Sequence, residues 1–408
     1  MDDIVADIIK EVSFVDTTVD LNETDLTPIQ EFYRGSSVFV TGGTGFLGQL
    51  LIEKLLRSTP VSKIFVLIRS KKGKTVEARL AELLDGSLFQ RLQKQTPAWR
   101  DKVVPVAGDC SLPDLNLRDQ DKKLLTAEVD IIFHVAATVR FDEKLKMATF
   151  INVRATRDML RLARQIPHLK SFVHVSTLYS NCNKDVVLEK VYPPAVSYET
   201  LIQMADGLDD KTLEKITPSL LSQHPNTYVF TKQIAEAVVK EEGLGLPMAI
   251  HRPSVVTSTY REPVRAWVDT MYGATGITVG AYLGVLRVLH CDSGNNANLV
   301  PADMCVNSMI ATAWEVGVDF EKAREGYVKY DVPVYNFESS NDQPIAWSEC
   351  NHLLVKYIPL TPSNKSMWYI CFSFVKFYPL YLVHVLLLHT VPGIIVDGLL
   401  LCTGKPPQ

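Results

Sequence analysis

The sequence has no excess of positive charge, which binding to nucleic acid through phosphate contacts would need. Its 408 residues include 42 Lys+Arg and 46 Asp+Glu, a net charge of −4, so we expect no nucleic-acid partner. Hydrophobic residues make up 47% and charged residues 22%, which excludes a disordered or collagen-like chain. The length is two to three times that of a typical domain of about 150 residues and predicts a large core with an appended piece.

The sequence also lacks a CxxC pair, and its seven cysteines are scattered along the chain. This argues against a disulfide framework and a zinc site and fits a reducing compartment. The motifs HExxH, GxSxG and the P-loop are absent as well. The N-terminus is acidic where a signal peptide has basic residues before an apolar run. We therefore expect an intracellular protein with no signal peptide and no metal site, and an acidic lead-in at 1–34 with at most a short helix at Ile4–Val12.

Short β-branched runs alternate with segments of helical period from Ser36 to about Val256. Apolar runs of this kind, separated by helices, are typical of a parallel sheet that is buried on both faces. We therefore predict an α/β, Rossmann-type doubly wound sheet, with helices that include Phe46–Arg57 and Met147–Gln165. The predicted strands are 36–41, 63–68, 102–108, 129–137, 171–176 and 248–253.

The regular spacing ends after the fifth predicted strand. A long stretch, roughly 178–226, separates this strand from the next predicted helix and contains Pro193, Pro194, Pro218 and Pro225. A long insertion at this point of an α/β sheet usually covers a substrate pocket. We assign substrate binding to this insertion and to about 257–340.

The last forty residues are apolar and aromatic. Phe377–Val396 contains no Asp, Glu, Lys or Arg and is long enough to span a bilayer. Pro379, Pro392 and Gly393 lie inside it and favour a re-entrant or interfacial element, and a buried pair of core helices is the alternative. We expect 351–408 to contain an apolar helical segment that associates with membrane lipid.

A glycine-rich loop, VTGGTGFLG, follows the first predicted strand and opens a predicted helix. Three of its glycines satisfy the GxGxxG pattern. In this context they allow a tight turn and a close approach of backbone N–H groups to a pyrophosphate. A simple turn between a strand and a helix is the alternative. We predict a dinucleotide site formed by Gly42, Gly43, Thr44, Gly45, Phe46, Leu47 and Gly48.

Basic residues follow the second predicted strand, which ends LIRSKKGK. An NAD site usually has Asp or Glu there to bind the ribose, about 20 residues beyond the loop, but no acid occurs before Glu77. A cation cluster suits a 2′-phosphate instead, so we predict NADPH as the cofactor. A solvated basic turn is the alternative. The cluster consists of Arg69, Lys71, Lys72 and Lys74.

Tyr228 and Lys232 are four residues apart on a helical pattern and therefore share one helix face. The fifth predicted strand ends in Ser176 and Thr177, at the sheet edge where α/β proteins bind ligands. The pKa of tyrosine is near 10, and a neighbouring cation lowers it, which eases proton transfer. A serine hydroxyl can hold a carbonyl oxygen on which negative charge develops. With the glycine loop these residues predict a catalytic centre, whereas a YxxxK pair alone would be a helix surface pair.

Five other positions are candidate cofactor contacts. Asp109 could hydrogen-bond the adenine amino group, and an ordinary strand-end turn is the alternative. Ala136 and Asn152 could lie on the cofactor side, although packing or helix capping explains them almost as well. Pro253 and Ser254 would lie beside the nicotinamide.

Three histidines lie in or at the ends of apolar predicted strands: His134, His174 and His251. Histidines in such positions are more often hydrogen-bonded core residues than ligands. We therefore expect all three in the core.

In these residues the sequence resembles the extended short-chain dehydrogenase/reductases, and more narrowly the alcohol-forming fatty acyl-CoA reductases of animals, particularly insects. The similar stretches run in the family's order from about residue 34 to 340 and include VFVTGGTGFLGQLLIEKLLRS, KIFVLIRSKKG, FHVAATVRFDE, INVRATRDML, FVHVSTLYSNC, PNTYVFTKQIAE, HRPSVV and REPVRAWVDT. The resemblance implies an NADP-binding Rossmann reductase domain at 35–350 and a membrane-associating C-terminal domain that begins in 351–408.

The resemblance also implies an activity. Long-chain fatty acyl-CoA and two NADPH would give alcohol, CoA and two NADP⁺ through a bound aldehyde. The glycine loop would bind the pyrophosphate of NADPH, and Arg69 its 2′-phosphate. The reductive centre would consist of Ser176 or Thr177, Tyr228 and Lys232. A peroxisomal or endoplasmic-reticulum membrane is the implied location, and no oligomeric state is indicated.

The sequence departs from the family at two points. Ala266 precedes Trp267 where the family usually has Gly, and the chain ends at GKPPQ where the family's sequences continue, so we expect a shortened C-terminal domain. A hydroxysteroid dehydrogenase or a sugar-nucleotide epimerase/dehydratase would use the same loop and Tyr–Lys pair. A non-catalytic NADP(H)-binding lipid-scaffold protein is a further alternative.

Overall fold

The computed structural model describes residues 25–71, 73–95, 98–326, 330–364 and 366–404. The helix expected at Ile4–Val12 and Lys72 of the basic turn lie outside these residues. The chain forms two compact units. The first unit contains the described residues up to Trp267 together with Pro301–Phe337, and the second contains Val268–Val300 and the described residues from Glu338 onwards.

Seven parallel strands form the central sheet of the first unit, in the order β10-β6-β5-β4-β1-β2-β3. The strand order changes direction at β1, although all strands are parallel. β2 and β3 lie on one side of β1, and β4, β5, β6 and β10 lie on the other. This confirms the predicted doubly wound Rossmann-type sheet. The strands in chain order are β1 Ser37–Thr41, β2 Lys63–Ile68, β3 Val103–Ala107, β4 Ile131–His134, β5 Ser171–Val175, β6 Met248–Pro253, β7 Val255–Thr257, β8 Val288–His290, β9 Leu299–Pro301, β10 Val334–Phe337 and β11 Ser373–Val375.

Helices cover both faces of the sheet. Two of them carry most of the candidate site: the glycine-loop helix, Phe46–Ser58, and the tyrosine helix, Thr227–Glu242. The other α-helices are Pro28–Tyr33, Val76–Leu84, Gln90–Gln95, Asp119–Glu128, Leu145–Ala148, Ala155–Ala163, Tyr198–Gly207, Asp210–Leu221, Ala274–Tyr282, Ala302–Arg324, Trp347–Tyr357, Tyr378–Val385 and Val391–Cys402, and π-helical turns lie at Thr149–Arg154 and Leu386–Thr390.

The core consists of two apolar clusters, one on each face of the sheet. Successive strand residues point to opposite faces, so Phe39 of β1 joins one cluster while Val38 and Val40 join the other. The tyrosine helix packs in the first cluster and the glycine-loop helix in the second. Because both faces are covered, the strands are continuous apolar runs and could be located from the sequence.

The predicted long insertion, roughly 178–226, contains two helices, Tyr198–Gly207 and Asp210–Leu221. The next α-helix after the fifth strand therefore begins at Tyr198, earlier than the end of the stretch 178–226 that was predicted to precede it. Each helix begins with a side-chain cap, since Ser197 accepts from the Thr200 N–H at 3.3 Å and Asp209 from the Thr212 N–H at 3.1 Å. Ser and Asp are favoured at this position, so the caps were the local signal that the proline content obscured.

The apolar C-terminal segment is helical from Tyr378 to Cys402, a length of 25 residues. Its most apolar window has a mean hydropathy of 2.1, and none of that window is buried. Pro379 lies in the first turn, where its missing N–H costs no intrahelical hydrogen bond. The alternative of a buried pair of core helices was wrong, and by length and composition this helix could cross a membrane.

All three strand histidines are fully buried, as predicted. His134 is hydrogen-bonded to Thr41 Oγ1 at 2.7 Å, and His251 to Ser308 Oγ at 3.0 Å. His174 differs from the expectation, because neither of its ring nitrogens has a partner among the described residues.

These histidines predict loss of stability in acid. Burial lowers the pKa of His134 and His251 to about 3, and that of His174 well below its usual value. The unfolded chain therefore binds protons that the folded chain does not as the pH falls below about 6.5, so stability falls from there towards pH 3. We expect the urea midpoint to decrease between pH 7 and pH 5. His174→Phe should make this decrease shallower, whereas the matched substitution at exposed His168 should leave it unchanged; equal slopes for both variants would contradict the prediction.

Candidate active site

The glycine loop joins β1 to the glycine-loop helix through a turn that requires glycine at two positions. Gly42 has a φ of +73°, and a Cβ there would lie 2.6 Å from the backbone nitrogen of Ala136, just beyond β4. A Cβ on Gly48 would lie 2.2 Å from the carbonyl oxygen of Gly42. The turn, the end of β4 and the helix are therefore in contact through backbone atoms alone.

The N-terminus of the glycine-loop helix is suited to an anion. Gly45 precedes the first turn and has no side chain that could accept from the N–H groups there, so these groups remain available to a phosphate. Thr44, Phe46 and Leu47 are partly buried around this turn. The predicted loop therefore fits the pyrophosphate of a dinucleotide.

Not all of the basic residues after β2 are free to bind a 2′-phosphate. Arg69 is exposed directly after the strand, whereas Lys74 forms an ion pair with Glu82 at 2.8 Å. The carboxylate of Asp109, after β3, accepts from the N–H and the hydroxyl of Ser111, both at 2.8 Å. This bonding is that of a strand-end turn, the alternative considered for Asp109, and it leaves an adenine contact a prediction.

Lys232 is buried in the tyrosine helix and faces the end of β5. Asn226 caps the start of this helix by accepting from the Val229 N–H at 3.1 Å. The Lys232 ammonium donates to the carbonyl oxygen of Val175 at 2.6 Å, its one hydrogen bond within the described residues. Burial lowers its pKa to about 8. Since an ammonium has three N–H donors, two remain for a ligand such as ribose hydroxyls.

Tyr228 lies one turn before Lys232 and next to Thr177. Burial raises the pKa of Tyr228 to about 12, and the hydrogen bond with the Thr177 side chain opposes that rise. The expectation that Lys232 lowers this pKa was wrong for the protein alone, because the ammonium is bonded to Val175 and desolvation dominates. The phenol therefore stays protonated at neutral pH and can act as a proton donor.

Ser176 and Thr177 are adjacent in sequence but have different partners. The Ser176 hydroxyl donates to Glu236 Oε1 at 2.5 Å, in the interior. The Thr177 hydroxyl instead accepts from the Tyr179 N–H at 3.3 Å and lies close enough to the Tyr228 phenol to lower its pKa. Both residues were candidates for holding the substrate carbonyl. The structure brings Thr177, and not Ser176, together with the tyrosine.

The Glu236–Arg252 ion pair beneath the site was missed in the sequence. Both side chains are fully buried, and Arg252 Nη2 lies 2.6 Å from Glu236 Oε2. Glu236 also accepts from Ser180 at 2.9 Å, next to its bond with Ser176. A charged residue inside the apolar strand MAIHRP was the available signal, because a buried cation requires a buried anion.

Three of the predicted cofactor contacts, Asn152, Ala136 and Ser254, differ in their hydrogen bonds. The Asn152 amide donates to Thr231 Oγ1 at 2.9 Å and its oxygen accepts from the Thr138 N–H at 3.0 Å, so this buried side chain links the loop after β4 to the tyrosine helix. The Ala136 N–H lies at 3.3 Å from the hydroxyl oxygen of Thr41. Ser254, after Pro253 at the end of β6, is 6% exposed, and its hydroxyl has no partner among the described residues, so a contact with the cofactor stays a prediction.

Ala266 adopts a φ of +55°, in the left-handed region that favours glycine. This explains the departure from the family pattern as a strained alanine, since a Cβ in this conformation costs about 1–2 kcal/mol. We expect Ala266→Gly to stabilise the protein by about 1 kcal/mol, measured as a higher urea midpoint. Ala81→Gly, at an exposed helical position, should instead destabilise it by about 1 kcal/mol; a shift of the same sign in both variants would refute the strain.

Comparison with known proteins identifies the family to which the sequence is similar. The NAD-binding family described as Male sterility protein matches residues 40–309. The chain is 41% identical over 385 residues to "Fatty acyl-CoA reductase wat" of Drosophila melanogaster and 39% identical over 390 residues to "Fatty acyl-CoA reductase 1" of Rattus norvegicus, in both cases over 94% of this chain and 73% of the relative.

A solved structure shows a similar fold. It is that of the terminal R domain from the myxalamid PKS-NRPS biosynthetic pathway, with a TM-score of 0.57 and 23% identity over 93% of this chain and 81% of that one. The fold, the nicotinamide-cofactor loop and the extent of the sequence matches lead to one assignment. The chain belongs to the fatty acyl-CoA reductase family and is an NAD(P)-dependent oxidoreductase.

Proposed function

We propose that this protein reduces long-chain fatty acyl-CoA to fatty alcohol with NADPH and releases CoA through a bound aldehyde. The observation that carries the proposal is the grouping of Thr177, Tyr228 and Lys232 at the carboxyl edge of the sheet. The glycine loop follows β1, which is separated from β5 by β4 alone, at the same edge of the sheet. In α/β proteins ligands bind at this edge, where the strand order reverses.

Each of the three residues has a separate role in the proposal. When bound, the cofactor supplies a hydride for the carbonyl carbon. The Thr177 hydroxyl donates a hydrogen bond to the carbonyl oxygen as negative charge develops there. Tyr228 transfers its phenolic proton to that oxygen in the aldehyde reduction. The two remaining N–H donors of Lys232 hold ribose hydroxyls and so orient the cofactor.

NADPH is preferred over NADH in this proposal. The support is Arg69, an exposed cation directly after β2, together with the absence of an acid between it and Glu77 in the sequence. A 2′-phosphate gains from a guanidinium at this position, whereas the free 2′-hydroxyl of NADH would need a carboxylate.

Membrane association is the second part of the proposal. The support is the apolar helix Tyr378–Cys402, of which the most apolar window is unburied. Its 25 residues correspond to about 37 Å at 1.5 Å per residue, which exceeds the hydrocarbon thickness of a bilayer. Acyl chains and fatty alcohols partition into the same phase, so enzyme and substrate would meet there.

A product assay tests the proposed reaction. The purified chain in detergent micelles is incubated with long-chain acyl-CoAs and either NADPH or NADH, and products are identified by mass spectrometry. Fatty alcohol with two NADPH consumed per CoA released supports the proposal. Aldehyde alone would exclude the second reduction, and equal rates with NADH would exclude the cofactor preference. Cofactor binding without turnover would favour a scaffold, and turnover of steroids or sugar nucleotides instead would favour the other enzyme classes.

The two adjacent hydroxyl residues provide a prediction. Thr177→Ala should lower kcat about 100-fold, because one hydrogen-bond donor to a developing oxyanion is lost. Thr177→Ser should restore most of the rate. Ser176→Ala, which removes only a bond to Glu236, should lower thermal stability more than kcat. If Ser176→Ala lost the rate and Thr177→Ala kept it, the assignment of the two residues would be reversed.

A further inference from the structure

A loop of the first unit, residues 259–267, is fixed onto the glycine-loop helix. Glu262 of this loop bonds to Lys54 Nζ at 2.5 Å and to Arg57 Nη1 at 3.0 Å, and both cations belong to that helix. Arg57 in turn bonds to buried Glu53 at 2.8 Å. The charges in this contact are therefore paired, and the loop cannot move away from the helix without separating them.

The backbone of the same loop is held from a second direction. The buried carboxylate of Asp303 accepts three consecutive N–H groups, those of Tyr260 and Arg261 at 2.8 Å and that of Glu262 at 3.1 Å. The loop is also closed on itself, because Thr259 Oγ1 accepts from the Trp267 N–H at 2.8 Å. A carboxylate with this many backbone donors forms strong, charge-assisted bonds, so the loop presents Trp267 in a defined position.

Trp267 stacks on Phe46, with the ring centroids 5.6 Å apart and an interplanar angle of 23°. Phe46 is the first residue of the glycine-loop helix, so the paired rings stand beside the N–H groups that are available to a phosphate. Both rings are partly exposed and otherwise pack against the apolar cluster of the glycine-loop helix, so part of their surface remains available for contact. Nothing in the reductive centre uses this pair.

We propose that Trp267, together with Phe46, forms a wall of the dinucleotide groove and shields the contacts between pyrophosphate and helix N-terminus from water. The physical reason is that hydrogen bonds to an anion are stronger where the local dielectric is low. The wall binds the dinucleotide and takes no part in proton transfer. This inference rests on the nicotinamide cofactor and is independent of the acyl substrate and of the choice between NADPH and NADH.

Binding titrations of the 408-residue chain with NADPH and NADH test the wall. Trp267→Ala should raise the Kd of the better-bound cofactor about tenfold, the equivalent of about 1.4 kcal/mol. Trp267→Phe keeps an aromatic ring and should bind within about twofold of wild type. Wild type should show energy transfer from tryptophan to the bound reduced nicotinamide, and Trp267→Phe should lose a larger share of it than the same change at Trp99, Trp314, Trp347 or Trp368.

Two results would overturn the wall. One is an unchanged Kd for a folded Trp267→Ala variant, judged by its melting temperature. The other is energy transfer in Trp267→Phe that equals that of wild type. This measurement tests the wall even if Trp267→Ala does not fold. Failure of the wild-type chain to bind either cofactor would instead refute the cofactor site itself, together with the wall that depends on it. If Trp267→Ala binds the cofactor more weakly than wild type but the protein does not turn over acyl-CoA, the wall is supported and only the proposed reaction is wrong.

Discussion

Tyr228→Phe is expected to lower the rate of acyl-CoA reduction at least 100-fold while the protein remains folded. The Tyr228 phenol lies beside Thr177 and stays protonated at neutral pH, because burial raises its pKa to about 12. Loss of a general acid costs about 10²–10⁴ in rate. Phenylalanine fills the same space, so packing against Phe141, whose ring centroid lies 6.0 Å away, should persist.

The measurement is kcat for alcohol formation together with the Kd for NADPH. Only kcat should change, since Lys232 and the glycine loop remain. Tyr198→Phe is the matched control, because this buried tyrosine also bonds through its hydroxyl, to Glu242 at 3.0 Å, but lies outside the centre. A Tyr228→Phe variant that retained more than about a hundredth of the wild-type rate would exclude Tyr228 as the general acid.

Arg252→Met is expected to destabilise the protein by about 3–5 kcal/mol, because it leaves the buried charge of Glu236 without its partner. Arg252 also donates to the carbonyl oxygens of Leu188 and Lys190 at 3.0 and 2.8 Å, so the start of the insertion would lose its attachment to β6. Typical proteins have only about 5–15 kcal/mol of stability in total. We therefore expect low yield and early thermal unfolding of this variant.

Urea unfolding of a double variant separates charge from packing. Arg252→Met combined with Glu236→Leu removes both charges and should regain much of the lost stability, because a buried pair can be replaced by apolar residues at little cost. Lys322→Met breaks a half-exposed ion pair with Asp319 at 3.0 Å and should change stability little. A double variant no more stable than Arg252→Met alone would show that the buried charge is not the cause.

The sheet could be predicted from the sequence because its strands are buried on both faces. β2 and β6 coincide with the apolar runs at 63–68 and 248–253. The run at 129–137 overestimates β4, which ends at His134, because the apolar residues beyond it form the turn that faces Gly42. In the insertion, the capping residues Ser197 and Asp209 were visible in the sequence. No long apolar periodicity followed them, so the helices that they begin were not recognised.

The site was predictable in its spacing but not in its contacts. Tyr228 and Lys232 are four residues apart, which is about one helical turn, so they share a helix face however the helix is packed. The partner of Ser176 depends on Glu236, which the fold brings to it from 60 positions away in the chain. The direction of the tyrosine pKa depends on burial and on the bond of Lys232 to Val175, which only the tertiary structure determines.

The position of β1 has a consequence for protein synthesis. Its neighbour β2 follows it closely along the chain, whereas β4 begins only at Ile131. The turn at Gly42 is completed by Ala136, so a nascent chain that ended before β4 would carry the glycine loop without its opposite side. Since a ligand stabilises only the state that binds it, we expect a nicotinamide cofactor to stabilise the nascent chain only after β4 has emerged.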